Sequence, residues 1–135
     1  MTVAEAAMTV EEWVEAYGRA WREKDADAAV RLFAEDAEYR SSPFREPAVG
    51  SERIRAYWEG VTSAQENVAV RMGAPFVDGD LVAVEWWATM IEDGEETTIP
   101  GCLLLRFAAD GRCTALREYW FQKPGRHEPH AGWGE

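Results

Sequence analysis

Leu81-Val82-Ala83-Val84-Glu85-Trp86-Trp87-Ala88-Thr89-Met90 alternates with a period of two, the repeat of an extended strand. Val82, Val84, Trp86, Ala88 and Met90 project to one side, and Leu81, Ala83, Glu85, Trp87 and Thr89 to the other. Each side carries a tryptophan. Toward the C-terminus the same alternation sets Leu103, Leu105 and Phe107 against Cys102, Leu104 and Arg106. It then sets Ala115, Arg117, Tyr119 and Phe121 against Leu116, Glu118 and Trp120. Period two begins near Val68, and turns are predicted at Asp78-Gly79-Asp80, Glu92-Asp93-Gly94-Glu95 and Asp110-Gly111-Arg112. Four antiparallel strands in a meander are the simplest reading. A sheet this apolar on both sides leaves neither in water, so helices are expected on one face and another subunit on the other.

Upstream of the sheet the period lengthens. Thr9-Val10-Glu11-Glu12 fits a capping box, and Val10, Trp13, Val14, Tyr17 and Trp21 follow at the three- and four-residue spacing of an amphipathic helix. Asp25 caps a short second helix through Ala28, Ala29, Leu32 and Phe33 that is expected to end near Glu35-Asp36. Ala37-Glu38-Tyr39-Arg40 reads as a short strand, and Ser41-Ser42-Pro43-Phe44-Arg45-Glu46-Pro47 as a loop, because two prolines interrupt ladder and helix alike. Gly50-Ser51 opens a third helix, with Ser51 as cap and Ile54, Tyr57, Trp58 and Val61 on one face.

The 135 residues suit a single domain, with residues 1–8 a leader and 124–135 an extended tail outside the core. Apolar residues make up 47%, including seven tryptophans, which excludes a disordered chain. A formal charge of −11 repels phosphate backbones and anionic membrane surfaces, so neither nucleic acid nor membrane is an expected partner. With no basic-then-apolar start and no run of about 18 apolar residues, a cytoplasmic location is expected. Cys102 and Cys113 read as small hydrophobes rather than a disulfide. His127 and His130 sit in a Pro/Gly-rich segment with no third ligand beside them, so no metal and no cofactor is expected.

The order of elements, two helices, a short strand, a third helix and a strand meander, is that of the nuclear transport factor 2-like superfamily. Tyr17-Gly18-Arg19-Ala20-Trp21, Asp25-Ala26-Asp27-Ala28 and Leu32-Phe33-Ala34-Glu35-Asp36-Ala37 resemble its first two helices and the entry to its first strand. Ser42-Pro43-Phe44-Arg45-Glu46-Pro47, Gly50-Ser51, and Asp110-Gly111-Arg112 leading to Arg117-Glu118-Tyr119-Trp120 resemble the SnoaL-like branch. The resemblance covers roughly residues 9 to 123. It implies an α+β fold in which three N-terminal helices pack on a strongly curved, mainly antiparallel sheet, forming a cone with a central cavity. It also implies kinship with ketosteroid isomerases, polyketide cyclases and epoxide hydrolases, and with many members of no known reaction.

Glu118 is the first catalytic candidate, because a carboxylate between Leu116 and Trp120 on an apolar face has its pKa raised toward the range useful for proton transfer. Its placement resembles the acidic base on the last strand of a SnoaL-like cyclase. The competing reading pairs it with Arg40, which lies beside it if the first strand joins the last, as in the family. Tyr17 stands as an oxyanion donor, the role of a tyrosine in ketosteroid isomerase, or as a core residue. The isomerase's paired aspartate has no counterpart here. Glu85, alone charged on its strand face, either enters the cavity or turns outward. Trp13, Trp58, Trp87 and Trp120 are candidate aromatic walls, with Phe44 and Arg45 at the mouth.

Two functions compete. One is an acid/base enzyme on an apolar carbonyl or epoxide, with Glu118 as base and Tyr17 or Arg40 stabilising developing charge. The other is a non-catalytic dimeric interaction module with a vestigial cavity. Both share a homodimer built through a sheet face. One candidate surface is Val82, Val84, Trp86, Leu103, Leu105, Phe107, Tyr119 and Phe121, and the other is Cys102, Leu104, Leu116, Trp87 and Trp120.

Overall fold

The Thr9 hydroxyl accepts the Glu12 backbone N–H at 3.1 Å, and the Glu12 carboxylate accepts that of Thr9 at 2.9 Å. This capping box starts α1 (Val10–Arg22) in the computed structural model of the chain, which describes residues 8–135. The leader expected over residues 1–8 lies outside the described residues except for Met8. Trp13, Val14, Tyr17, Ala20 and Trp21 are buried along the apolar stripe of α1.

Asp25 caps α2 (Ala26–Val30) by accepting the Ala28 N–H. The helix stops short of the expected Glu35-Asp36, and β1 (Phe33–Arg40) starts instead. The reason is tertiary: the Leu32 carbonyl accepts both the Trp13 indole N–H and the Cys113 amide, and Phe33 pairs with Cys113. After β2 (Ala48–Val49), α3 (Ser51–Ser63) is capped by Gly50 at φ +90°, with no side-chain hydrogen bond, so Ser51 is its first residue and not its cap. Arg55 of α3 is ion-paired with Asp27 of α2.

The remaining strands are β3 (Gln65–Met72), which begins ahead of the expected Val68, β4 (Phe76–Asp78), β5 (Leu81–Glu92), β6 (Glu95–Phe107), β7 (Cys113–Trp120) and β8 (Lys123–Pro124). They form one curved sheet with the order β2-β1-β7-β6-β5-β3, to which β4 adds at β5 and β8 at β6. Every pairing is antiparallel except β1 with β7. The meander is thus extended by the first strand, which joins the last in parallel. At the β5–β6 hairpin Asp93 and Gly94 both have positive φ, the requirement of a two-residue type I′ turn closing the Glu92–Glu95 pair.

Register decides which face is which. Val82 lies opposite Leu105 and then Leu116, Val84 opposite Leu103 and then Glu118, and Trp86 opposite Gly101 and then Trp120. These rows face the helices. Tyr119 and Phe121 therefore do not share a surface with Val82, Val84 and Trp86 as first grouped. Nor do Leu116 and Trp120 share one with Trp87, Cys102 and Leu104.

The segment after β8, expected as a tail outside the core, crosses the outer face. Thr98 Oγ1 donates to the Gly125 carbonyl and accepts the His127 N–H, while the His127 carbonyl takes the Trp87 indole N–H. Trp133 is buried edge-on against Trp87 at 6.0 Å between centroids, with the Arg71 guanidinium 5.0 Å over its ring. Gly134 donates to Glu85 Oε1 and accepts from the Ala74 N–H. The chain itself thus covers part of the face assigned to a second subunit.

Candidate functional site

Between α1, α3 and the inner face of the sheet lies a cavity of about 240 Å³. Its walls are Tyr17 and Trp21 from α1, Tyr57, Trp58, Val61 and Thr62 from α3, Gln65 from β3, Tyr39 from β1, and Trp86, Ile99, Glu118 and Trp120 from the sheet. Ser41, Arg45, Glu92 and Gln122 complete the lining.

Glu118 is only 6% exposed. Its Oε1 accepts the Tyr39 hydroxyl at 3.2 Å, and the Tyr39 hydroxyl lies 3.0 Å from that of Tyr17. A tyrosine has one proton to give, so with Tyr39 donating to the carboxyl, Tyr17 donates to Tyr39. Oε2 has no partner among the described residues and is not sealed within protein, so it opens on the cavity. Burial drives the Glu118 pKa up to about 8, against the opposing pull of the Tyr39 hydrogen bond. Tyr17 and Tyr39 are held well above the usual phenol range, first by burial and then by the nearby Glu118. Tyr57 is raised for the same two reasons.

Of the residues singled out from sequence, Glu118, Tyr17, Arg45, Trp58 and Trp120 line the cavity. Arg40 does not, and it does not pair with Glu118: its Nη1 donates to the Arg45 carbonyl at 2.8 Å. Parallel pairing sets Tyr39 beside Leu116 and Arg40 beside Arg117, so strand alternation turns Tyr39 inward and Arg40 away. Tyr17 is in the cavity wall, but its proton is committed to Tyr39 rather than offered to a ligand. Trp13 is core, its indole bonded to the Leu32 carbonyl and its ring stacked on Tyr17 at 5.2 Å. Glu85 and Trp87 lie on the outer face under the C-terminal segment, because alternation places them opposite Trp86. Phe44 is 97% exposed on its loop.

Sequence reasoning missed Tyr39, Tyr57 and Gln65. Tyr39 and Tyr57 carry the apolar patterning of their strand and helix, which hides their hydroxyls. Gln65 precedes the onset of period two and gives no periodic signal. Cys113 is a buried thiol pushed up to about 12 by desolvation, and Cys102 is half-buried. His127 and His130 each lie against a backbone carbonyl.

A family model described as a SnoaL-like domain matches residues 14–116. The chain belongs to the SnoaL-like family. No curated protein matches the sequence. Among solved structures, this SnoaL-like chain is similar to a hypothetical protein with a ketosteroid isomerase-like fold from Catenulispora acidiphila, in complex with trimethylamine. Identity is 26% and the TM-score 0.74, over 82% of this chain and 86% of that one. It is also similar to SalBIII, described as an epoxide hydrolase/cyclase-like enzyme in pyran ring formation in the polyether salinomycin. Here identity is 25% and the TM-score 0.73, over 82% and 89% of the two chains. A Mycobacterium tuberculosis LEH-like epoxide hydrolase, 22% identical over 81% and 80% with a TM-score of 0.68, shares the fold. No helix among the described residues is long and apolar enough to cross a membrane.

Proposed function

We propose that this SnoaL-like protein is an acid/base enzyme that moves a proton on an apolar carbonyl compound, with Glu118 as the base. The observation that carries the reading is a buried carboxyl with one oxygen anchored by Tyr39 and the other open to an aromatic-walled cavity. A pKa of about 8 leaves both protonation states populated near neutrality, which suits a group that takes a proton and returns it. In the step, the C–H bond beside the carbonyl breaks and its electron pair passes to the carbonyl oxygen as an enolate. The proton goes to Glu118 Oε2 and returns to carbon. Arg45 and the Tyr57 hydroxyl, both in the cavity wall, are the donors for the enolate oxygen.

Deuterium exchange at the α-carbon of 2-tetralone, followed by NMR, tests this. Exchange should rise with pH and level off above about 8, and Glu118→Gln should slow it by about a hundredfold or more. Exchange indifferent to that substitution would sink the proposal. A second reading rests on Glu118 keeping its proton at neutral pH. The protonated acid would give its proton to an epoxide oxygen as a water molecule attacks the ring carbon and the C–O bond breaks, the proton that the water gives up returning to Glu118. This is the reaction class that the names of the relatives suggest, and its rate would fall as pH passes about 8.

The open cavity and the separation of Glu118 from Arg40 favour either enzyme over a scaffold with a vestigial pocket. We also propose a homodimer through the outer sheet face, where Tyr119 is 45% and Phe121 81% exposed beyond the reach of the C-terminal segment. Light scattering at micromolar concentration should give twice 15.2 kDa, and Phe121→Glu should return the mass toward one chain. A wild-type mass near 15.2 kDa would refute the dimer.

A further inference from the structure

The start of β3 brings into the cavity a side chain that proton transfer at Glu118 leaves unused. Gln65 is 2% exposed, and the Trp21 indole N–H donates to its Oε1 at 2.9 Å. An indole nitrogen can only donate, so the amide has one orientation: its carbonyl toward Trp21 and its NH2 away. That nitrogen meets no acceptor among the described residues, yet it is not one of the donors sealed within protein, which are the indole N–H groups of Trp58 and Trp86. Since Gln65 lines the cavity, its two N–H donors open there. A buried donor without a partner is costly, so these two are positioned for an atom that the described residues do not supply.

The surroundings narrow what that atom can be. Glu92 is the cross-strand partner of Gln65 and also lines the cavity, as does Glu118. Glu92 beside the single cation Arg45 leaves the lining no excess positive charge to favour an anionic group, and a neutral amide donor suits a neutral oxygen. Gln65 enters from β3 and Glu118 from β7, with β5 and β6 between them. Register sets Gln65 level with Glu92 and Glu118 level with Val84, so the two also lie far apart along β5. They meet in one cavity because successive turns of α1, about 6 Å apart, reach them both: Trp21 bonds Gln65, and Tyr17 reaches Glu118 through Tyr39. An elongated ligand of two fused rings suits a site with one polar group at each end.

We infer that Gln65 is a specificity-determining residue whose amide binds a second, neutral oxygen of the ligand. The substrate class is then an apolar ketone carrying an ether, hydroxyl or carbonyl oxygen at the end remote from the reacting carbon. Which end reacts rests on the role proposed for Glu118; the binding role of Gln65 does not.

Titrating 2-tetralone and 6-methoxy-2-tetralone into the protein tests this. The methoxy ketone should bind about tenfold tighter and alone shift the Gln65 side-chain N–H resonances in ¹⁵N spectra of the wild type. Gln65→Leu and Gln65→Met should erase the preference, bringing the two ketones within about twofold of each other, and saturable binding of either ketone reports that the fold is intact. Equal wild-type affinity for the two ketones, no binding of either, or a preference that survives both substitutions would overturn the inference. The wild-type Gln65 resonances decide it even if the variants fail to fold. A preference that depends on Gln65, beside exchange that ignores Glu118, would remove the proton-transfer reading and leave the Gln65 site standing.

Discussion

Glu118→Gln is expected to unfold much less readily than wild type at pH 9 and to differ by less than about 1 kcal/mol at pH 5. An acid whose folded pKa is raised keeps its proton in the folded state while the unfolded chain releases it. The Glu118 contribution to stability is therefore complete below the ordinary carboxylate value of 4.5, declines as pH rises, and is gone once pH has passed about 8. That interval is worth on the order of 5 kcal/mol at about 1.4 kcal/mol per pH unit, an upper bound if water enters the cavity. Glutamine keeps a carbonyl oxygen for Tyr39 and never ionises, so it escapes the loss. Urea unfolding of both proteins at pH 5, 7 and 9 should show a gap that opens with pH. A constant gap would mean that Glu118 ionises as freely as in solution. Such a substitution trades the proposed activity for stability, as expected where a charge is held in an apolar site for its chemistry.

Gly101→Ala is expected to cost about 2 to 3 kcal/mol and to close part of the cavity. A Cβ at Gly101 would stand 2.3 Å from Trp86 Cζ2 and 2.6 Å from Cε2, so the indole must move. Trp86 is buried and packs edge-on against Trp21 at 5.0 Å, which leaves the cavity as the free direction. The backbone is ordinary strand and accepts alanine, so the effect is steric alone. Replacing Trp86 by Leu in the Gly101→Ala background should recover stability that neither single change predicts, the signature of direct coupling. Thermal unfolding of the two single variants and the double variant measures it, and additive losses would show that the indole is not what Gly101 accommodates.

The helices were legible because their signals are local. Thr9 and Glu12 close a box within one turn, Asp25 caps from the adjacent residue, and Asp93-Gly94 suits a tight turn with positive φ at both positions. Glu118 stood out because one acid between Leu116 and Trp120 is anomalous by itself. Its partner was not legible. Arg40 is as close in the chain as Tyr39, and only the pairing of β1 with β7 turns one inward and the other out. The second helix was read too long for a related reason. Leu32 and Phe33 continue an apolar helical pattern, but hydrogen bonds from Trp13 and Cys113, distant in sequence, end it.

Alternation by itself determined that β5 has two faces and which residues share each, since neighbouring side chains on a strand must point opposite ways. Residue order and capping likewise determined three helices followed by a sheet, and apolar neighbours on its strand face marked Glu118 as a candidate for a raised pKa, with an ion pair to Arg40 as the competing reading. Alternation is symmetric, however, and with a tryptophan on each side of β5 nothing local ranks the faces. Only the register across β5, β6 and β7 put Trp86 and Glu118 together toward the helices. Only the return of the C-terminal segment, carrying Trp133 onto Trp87, put Trp87 and Glu85 outside the cavity. Gln65 became visible last, because its proposed role depends on an indole 44 residues away that takes up its carbonyl and leaves its NH2 without a partner among the described residues.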